Sequence, residues 1–241
     1  MNDAIVLSGM INRWRELEVR ANNLANASTP GFQALHLQAV TAKVAQQADA
    51  PAPDIAYAAM RGTWRDAGPG PIERTGNPLD IALTGTGYFT VMTRNGPRLT
   101  RDGHFTLDAN GTIVDQEGDP LLDSSGQNLQ IATADGTPSI AGDGTISGRH
   151  GVIGRIGVVA PPSPQDFTDE GGTLLNPTRP TAPVAVPHLL QGAVDGSTTS
   201  AIGETVGMIR DTRQFQIMAA MLKGESTRRQ QAIQQILSQV N

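Results

Sequence analysis

Residues 7–32 read LSGMINRWRELEVRANNLANASTPGF, and the spacing of their apolar residues predicts an amphipathic helix. Six positions recur at alternating intervals of three and four residues, as in the a/d seam of a heptad repeat: Leu7, Met10, Trp14, Leu17, Ala21 and Leu24. Proline disfavours the helical conformation in the residue before it, and glycine permits a chain reversal. Pro30 and Gly31 therefore end a helix that we expect over about residues 2–27.

Residues 198–240 repeat this rhythm over a much longer segment. The seam positions are Met208, Thr212, Phe215, Ala219, Leu222, Ser226, Arg229, Ile233, Ile236 and Val240. A helix of this length spans roughly 60 Å at about 1.5 Å per residue, which is more than a small domain requires. The N-terminal helix is too short to cover it, so the excess apolar stripe is expected to contact another chain. The assembly residues predicted here are Met208, Phe215, Leu222, Ile233 and Ile236, together with the six N-terminal seam residues.

Residues 72–186 have the turn pattern of an antiparallel β domain. Pairs that accept positive φ recur between short apolar runs, namely Asn95-Gly96, Asp102-Gly103, Asn110-Gly111, Asp135-Gly136 and Asp143-Gly144. Short runs favour a small sandwich or partly open barrel. The predicted fold class is α+β, with terminal coiled-coil-type helices forming a stalk around a central all-β domain. The expected divisions are residues 1–31, 32–71 as a connecting segment, 72–186, and 187–241.

Composition excludes several classes of protein. The 241 residues carry a net charge of -5 and contain no cysteine. The charge has the wrong sign for a nucleic-acid binder, and thiolate metal sites and disulfides are impossible. No apolar run approaches the roughly 20 residues of a membrane span. The charge that precedes the short N-terminal apolar patch is Asp3, and no cleavage site follows, so we expect no cleaved signal peptide.

No residue pattern predicts chemistry. The four histidines are scattered, and Gly85-Thr86-Gly87 lacks the third glycine and the following helix of a phosphate loop. Residues 108–119 hold five oxygen-bearing side chains, but they lack the glycine and glutamate positions of a calcium loop, and turn chemistry is favoured. We expect no catalytic residue, cofactor or metal, and therefore no enzyme.

Three segments resemble the bacterial flagellar rod and hook protein family. The first is similar to the family's N-terminal signature through Asn22, Asn23, Leu24, Ala25, Asn26, Pro30, Gly31 and Phe32. The second runs from residue 76 through 89 and continues to 122, and the third is residues 190–195. Two features depart from the family pattern: the Ser/Thr-rich stretch 193–201, and Gln216 where the family usually has glutamate.

Within that family the chain looks most like the proximal rod proteins. The resemblance implies a structural subunit of the basal-body rod, the drive shaft that carries motor torque across the periplasm. It also implies contacts with copies of itself and with other rod proteins, and export through the flagellar type III apparatus. The terminal helices would form a coiled-coil inner tube, with the β domain outside. Alternatives are a distal rod or hook subunit, a secreted sugar-binding module or hydrolase with oligomerisation helices, and a non-flagellar coiled-coil scaffold.

Overall fold

The computed structural model describes residues 2–43, 56–163 and 166–239, and two long helices bracket its strands. Helix α1 spans Asn2–Ala25 and helix α2 spans Ala201–Gln239. The seam position Val240 lies outside the described residues. After α1 the chain turns, with the Thr29 amide donating to the Asn26 carbonyl and the Phe32 amide to the Thr29 carbonyl. The helix thus ends just before the predicted Pro30-Gly31 stop.

Along the sequence, all strands come after α1 and before α2. In chain order they are β1 (Leu35–Lys43), β2 (Ala56–Arg65), β3 (Ile72–Arg74), β4 (Ile81–Leu83), β5 (Tyr88–Thr93), β6 (Gly96–Thr100), β7 (Thr106–Leu107), β8 (Ile113–Val114), β9 (Ser139–Ile140), β10 (Thr145–Gly148), β11 (Gly151–Arg155), β12 (Val158–Ala160), β13 (Phe167–Asp169), β14 (Leu175–Pro177), β15 (Ala182–Pro183), β16 (Leu189–Gln191) and β17 (Ala193–Asp195). A short 3-10 helix covers Thr133–Asp135. These elements confirm an α+β chain with a central, mostly antiparallel β region.

The chain divides into two compact units. The helical unit contains Met1–Leu24, Leu35–Trp64 and Ala201–Asn241, and the β unit contains Ala25–Ala34 and Arg65–Ser200. In the helical unit, β1 and β2 pair in a two-stranded sheet that the sequence does not predict. They fall within the expected connecting segment, of which residues 44–55 lie outside the described part.

A six-stranded antiparallel sheet organises the β unit. Its strand order is β13-β14-β6-β5-β12-β15, and smaller pairings such as β16-β4 and β17-β3 accompany it. Strands β5 and β6 pair from Phe89–Thr100 to Thr93–Gly96, so the two residues of their hairpin turn are Arg94 and Asn95, one position before the predicted Asn95-Gly96 pair. The strands described do not close into a barrel.

The β unit encloses a continuous apolar core. Phe89 and Phe105 meet edge to face with ring centroids 5.4 Å apart. Around them lie the other buried members of the cluster: Ile81, Leu83, Val91, Ile113, Leu121, Leu129, Ile131, Ile140, Ile146, Ile156, Val158 and Leu189. The central residues of the sheet therefore pack as the short apolar runs of the sequence predict.

Three five-residue turns of the β unit share one geometry, in which an aspartate begins the turn. In each, one side-chain oxygen of Asp108, Asp115 or Asp123 accepts hydrogen bonds from the amides two and four residues later. The fourth residue is a glycine with φ between 78° and 87°. Backbone amides therefore bind one oxygen each of Asp108 and Asp115, which agrees with turn chemistry as the preferred interpretation of the segment 108–119.

Candidate assembly interface

The two helices of the helical unit meet through a polar contact. Arg20 Nε donates to Asp211 Oδ2 at 2.6 Å, and its Nη1 donates to Glu204 Oε2 at 3.0 Å. Arg13 approaches the other oxygen of Asp211 at 3.6 Å, and the Asp211 side chain is 1% exposed. Burial alone would lower the pKa of Arg20, but the hydrogen bonds and charges of Asp211 and Glu204 raise it above its ordinary value. The cation therefore stays charged and holds the helices in one register.

Asn23 of the 22–32 motif joins three elements of the helical unit. Its Nδ2 donates to the Leu35 carbonyl at 2.9 Å, and its Oδ1 accepts from the Leu35 amide at 2.9 Å. The same Nδ2 lies 3.3 Å from Glu204 Oε1. The buried amide thus pairs with the first residue of β1 as a strand neighbour would, close to the start of α2.

The predicted seam of α1 is divided between two environments. Met10, Leu17 and Leu24 are half-buried, whereas Leu7, Trp14 and Ala21 are exposed. Gly9, Arg13 and Arg20 of α1 face α2, and Trp14 lies beside the Phe215 ring of α2. A Cβ at Gly9 would lie 3.2 Å from Met218 Sδ, so this residue allows close approach. The apolar stripe of α1 is consequently left open on its outer side.

The predicted seam of α2 changes environment along its length. Met208, Phe215 and Leu222 are half-buried, and the Phe215 ring lies 6.4 Å from that of Trp14. Ile233 and Ile236 are 58% and 62% exposed. Antiparallel helices with Gly9 opposite Met218 place the start of α1 opposite roughly residue 225, because each residue advances both helices equally. Every described side chain from position 226 to 238 is exposed, so α2 extends beyond its partner helix.

The rest of the motif belongs to the β unit. The Gly31 amide donates to the Asp195 carbonyl, and Gly31 has a φ of 70°. Phe32 is buried with the Arg65 guanidinium 5.6 Å from its ring centroid. Asn22 and Ala25 are exposed, Asn26 and Pro30 are half-buried, and Leu24 is the last residue of the motif that belongs to the helical unit. The motif therefore supplies residues to both units.

A buried ion pair lies beneath Gly31 in the β unit. Arg101 Nε lies 3.0 Å from Asp195 Oδ2, with both side chains at most 2% exposed. Arg101 Nη2 donates to the carbonyls of Leu83 and Gly85 at 2.9 and 2.7 Å. Burial raises the pKa of Asp195, and the charge of Arg101 opposes that shift. The pair connects β6 with β17 and with the turn after β4.

Asp102, next along the chain, is a half-buried carboxyl whose effect on stability depends on pH. Burial raises its pKa to about 6, against a hydrogen bond from the His104 amide that lowers it. The folded state binds the proton more tightly than the unfolded chain, so the ionised carboxylate lowers the free energy of unfolding. This penalty is largest above pH 6 and disappears as the pH falls towards 4.

The variant D102N should therefore gain stability at neutral pH. We expect its free energy of unfolding to exceed that of the parent by about 2 kcal/mol at pH 7, and the gain to vanish near pH 4. The asparagine oxygen can still accept from the His104 amide, so the turn is preserved. Urea unfolding at both pH values measures the difference, and a gain that is the same at both would contradict the assignment.

Other kinds of site find no support in the described residues. Within that part of the chain, no group of three or more histidine, cysteine, aspartate or glutamate side chains could hold a metal ion. The helices there also lack any segment long and apolar enough to cross a membrane.

Known proteins resemble both units. A family model described as flagella basal body rod protein matches residues 5–33, and one described as flagellar hook protein FlgE/F/G D1 domain matches residues 82–148. The flagellar basal-body rod protein FlgF of Caulobacter vibrioides is 33% identical over 234 residues, which cover 95% of each chain. The chain belongs to the FlgF family of flagellar basal-body rod proteins. This confirms the resemblance carried by residues 22–32.

Further relatives distinguish FlgF from FlgG. The FlgF protein of Escherichia coli is 32% identical over 218 residues, 85% of each chain. The FlgG protein of Bacillus subtilis is 33% identical over 172 residues, 64% of each chain. The FlgF likeness thus extends further along the chain than this FlgG likeness.

Several residues that organise this FlgF-family chain are not predicted from its sequence. Arg20 and Asp211 are single charged residues on amphipathic helices, where solvated faces are the usual expectation. Arg101 and Asp195 do lie inside stretches that resemble the family, at 99–105 and 190–195. That placement is the one signal that could have marked them, because their pairing depends on strands far apart in sequence.

Proposed function

We propose that this chain is a structural subunit of the flagellar basal-body rod, in its proximal part, and that it polymerises through its terminal helices. One observation carries this proposal: a buried ion pair joins the two helices, and several apolar residues of both helices stay exposed. The exposed positions include Leu7, Ile11 and Trp14 on α1, and Ile233, Ile236 and Leu237 on α2.

The exposed stripes supply part of the free energy of association. Burying an aliphatic side chain such as leucine or isoleucine contributes about 1.5 to 3 kcal/mol. Two or three such residues on each helix offset a substantial part of the cost of fixing one copy against another. Neighbouring copies and other rod proteins are the proposed partners, with the helices packing as coiled coils and the β unit making further contacts.

Membership of the FlgF family supports the remaining parts of the proposal. We infer that the subunit is located in the basal body, transmits torque as part of the shaft, and reaches its place through the flagellar type III export apparatus. A structural role requires no catalytic residue. At the same 33% identity, the FlgF relative matches 95% of the chain and the FlgG relative 64%, which favours the proximal over the distal rod.

Quantitative mass spectrometry of purified basal bodies from the source bacterium tests the proposal. A small copy number per basal body supports a proximal rod segment, a large one favours the distal rod or hook, and absence contradicts the role. A matched pair of variants tests the helices: I233K should lose incorporation and motility, whereas Q231K, on the opposite face of α2, should retain both. Equal incorporation of the two variants would show that the apolar face of α2 is not used.

A further inference from the structure

We propose that Asn95 is a site of non-enzymatic modification, at which the side chain cyclises onto the backbone and hydrolyses to aspartate or isoaspartate. Asn110, in the same β unit, is protected from this reaction. Both asparagines precede a glycine and both are exposed, so the sequence alone does not distinguish them. The difference lies in how each turn is held and in the charges beside it. This chemistry is independent of the role of the chain in the rod.

The reaction requires water and a base. The base removes the proton from the Gly96 amide, and the nitrogen attacks Cγ of Asn95 to form a succinimide ring. The bond from Cγ to the side-chain nitrogen then breaks, and ammonia leaves with a proton taken from water. A second water molecule opens the ring at either carbonyl, which gives aspartate or, with the main chain running through Cγ, isoaspartate. Glycine favours the attack because it has no Cβ to hinder close approach.

The turn between β5 and β6 leaves room for this attack. A Cβ on Gly96 would have one neighbour within 4 Å, which is Arg98 Nη1 at 3.7 Å. The Thr93 hydroxyl holds the turn, since it donates to the Gly96 carbonyl at 2.8 Å and accepts from the Asn95 amide at 3.2 Å. Both contacts join neighbours at the end of a hairpin, so the turn can open locally while the rest of the sheet stays paired.

The turn that begins at Asp108 holds the same dipeptide more firmly. The Gly111 amide, which would have to attack, donates to the Asp108 carbonyl at 3.1 Å, and the Gly111 carbonyl accepts from the Ile131 amide at 2.8 Å. A Cβ on Gly111 would lie 2.3 Å from the Ile131 carbonyl oxygen, so a second segment packs directly on this glycine. Rotation of the peptide for attack therefore requires that contacts between two segments break.

Positive charge lies beside the reactive turn. The reaction passes through an anion on the glycine nitrogen and an oxyanion on the asparagine side chain, and nearby cations stabilise both. Arg94 directly precedes the asparagine. The Arg98 guanidinium binds Glu170 through Nε and Nη2, and its Nη1 donates to the Pro97 carbonyl next to Gly96.

Negative charge lies beside the protected turn. One carboxylate oxygen of Asp108 is 3.4 Å from Asn110 Nδ2, and the other accepts from the Asn110 amide at 2.8 Å. A carboxylate this close destabilises an anion on the next peptide nitrogen. Charge and packing therefore favour the same site, and both disfavour Asn110.

The fold can accommodate the product. Isoaspartate lengthens the main chain at the last pair of the β5–β6 ladder, Thr93 with Gly96. One residue before that pair, the Met92 amide donates to the Pro120 carbonyl at 2.8 Å, and Val91 is buried in the core. These contacts hold β5 without the turn. The modified chain therefore stays folded and carries an additional negative charge on the β unit.

Peptide mapping by mass spectrometry tests the proposal on the full chain. The chain is kept at mildly alkaline pH, either folded in buffer or unfolded in urea, and the peptides that contain each asparagine are followed over time. In the folded chain we expect Asn95 to convert at least several-fold faster than Asn110, with aspartate and isoaspartate products separated by chromatography. In urea the two rates should become similar, since both sites are Asn-Gly. The variant N95Q should lack the product at this position.

Two further variants separate packing from charge. T93V removes the hydroxyl that holds the β5–β6 turn, so it should raise the rate at Asn95 several-fold in the folded chain and leave it unchanged in urea. D108N removes the carboxylate beside Asn110 and keeps an oxygen that can accept from the backbone, so it should raise the rate at Asn110.

Three results would overturn the proposal. The first is a folded chain in which Asn110 reacts as fast as Asn95. The second is an Asn95 that is stable in the folded chain but reacts in urea. The third is a ratio of the two rates that is the same in buffer and in urea, because tertiary structure would then not select the site.

Discussion

Replacing Arg101 with methionine is expected to lower the free energy of unfolding of the β unit by about 3 to 5 kcal/mol, which would leave it only marginally stable. The guanidinium neutralises Asp195 at 3.0 Å and donates to the carbonyls of Leu83 and Gly85. Methionine fills similar volume without those donors, so a carboxylate stays buried with no cation beside it. Urea unfolding followed by circular dichroism measures the loss.

A neighbouring arginine provides the matched control. Arg98, on the strand that ends directly before Arg101, pairs with Glu170 at 2.6 and 2.9 Å, but that carboxylate is 31% exposed. Water can solvate Glu170 once the arginine is gone, so R98M should cost only about 1 kcal/mol. Adding D195N to R101M should restore part of the lost stability, because it removes the buried charge. Equal losses for R101M and R98M would show that burial of the pair is not what matters.

Substituting alanine for Gly31 is the second large effect that we expect. A Cβ there would lie 2.2 Å from the Asp102 amide nitrogen and 2.3 Å from the Arg101 carbonyl carbon, both backbone atoms. The left-handed conformation adds about 1 to 2 kcal/mol for a residue with a side chain, and displacing packed backbone adds about 1 to 3 kcal/mol. The G31A variant should therefore lose several kcal/mol of stability in the β unit.

Gly76 separates these two contributions. Its φ is 77°, close to that of Gly31, but a Cβ there would meet nothing within 4 Å. G76A should thus show only the conformational cost. Thermal unfolding of both variants measures the difference, and motility of complemented cells reports the consequence for assembly. If G31A is no less stable than G76A, the close packing of the motif against Arg101 and Asp102 is not significant for folding.

Local patterns predict the regular elements well, because the information lies within a few residues. Heptad spacing predicts α1 and α2 to within a few residues of their ends, and Asn95-Gly96 predicts the β5–β6 turn to within one residue. The turn at Asp108 follows in the same way, since its hydrogen bonds span four residues. The expected connecting segment, by contrast, contains β1 and β2, whose alternation is hidden in an Ala-rich stretch.

The sequence by itself determined the two helices, the turn-rich β region and, through residues 22–32, the family. Only the tertiary structure decided which face of α1 meets α2 and which charges are buried. Arg20 and Asp211 are 191 positions apart, and Arg101 meets Asp195 only after β6 and β17 have formed. Heptad spacing shows that a helix has an apolar stripe, but it does not show which partner buries that stripe. In this chain α2 packs on the side of α1 that carries Gly9 and Arg20, because Gly9 and the Arg20–Asp211 pair allow close, charge-matched packing there, and Leu7 and Ile11 stay exposed.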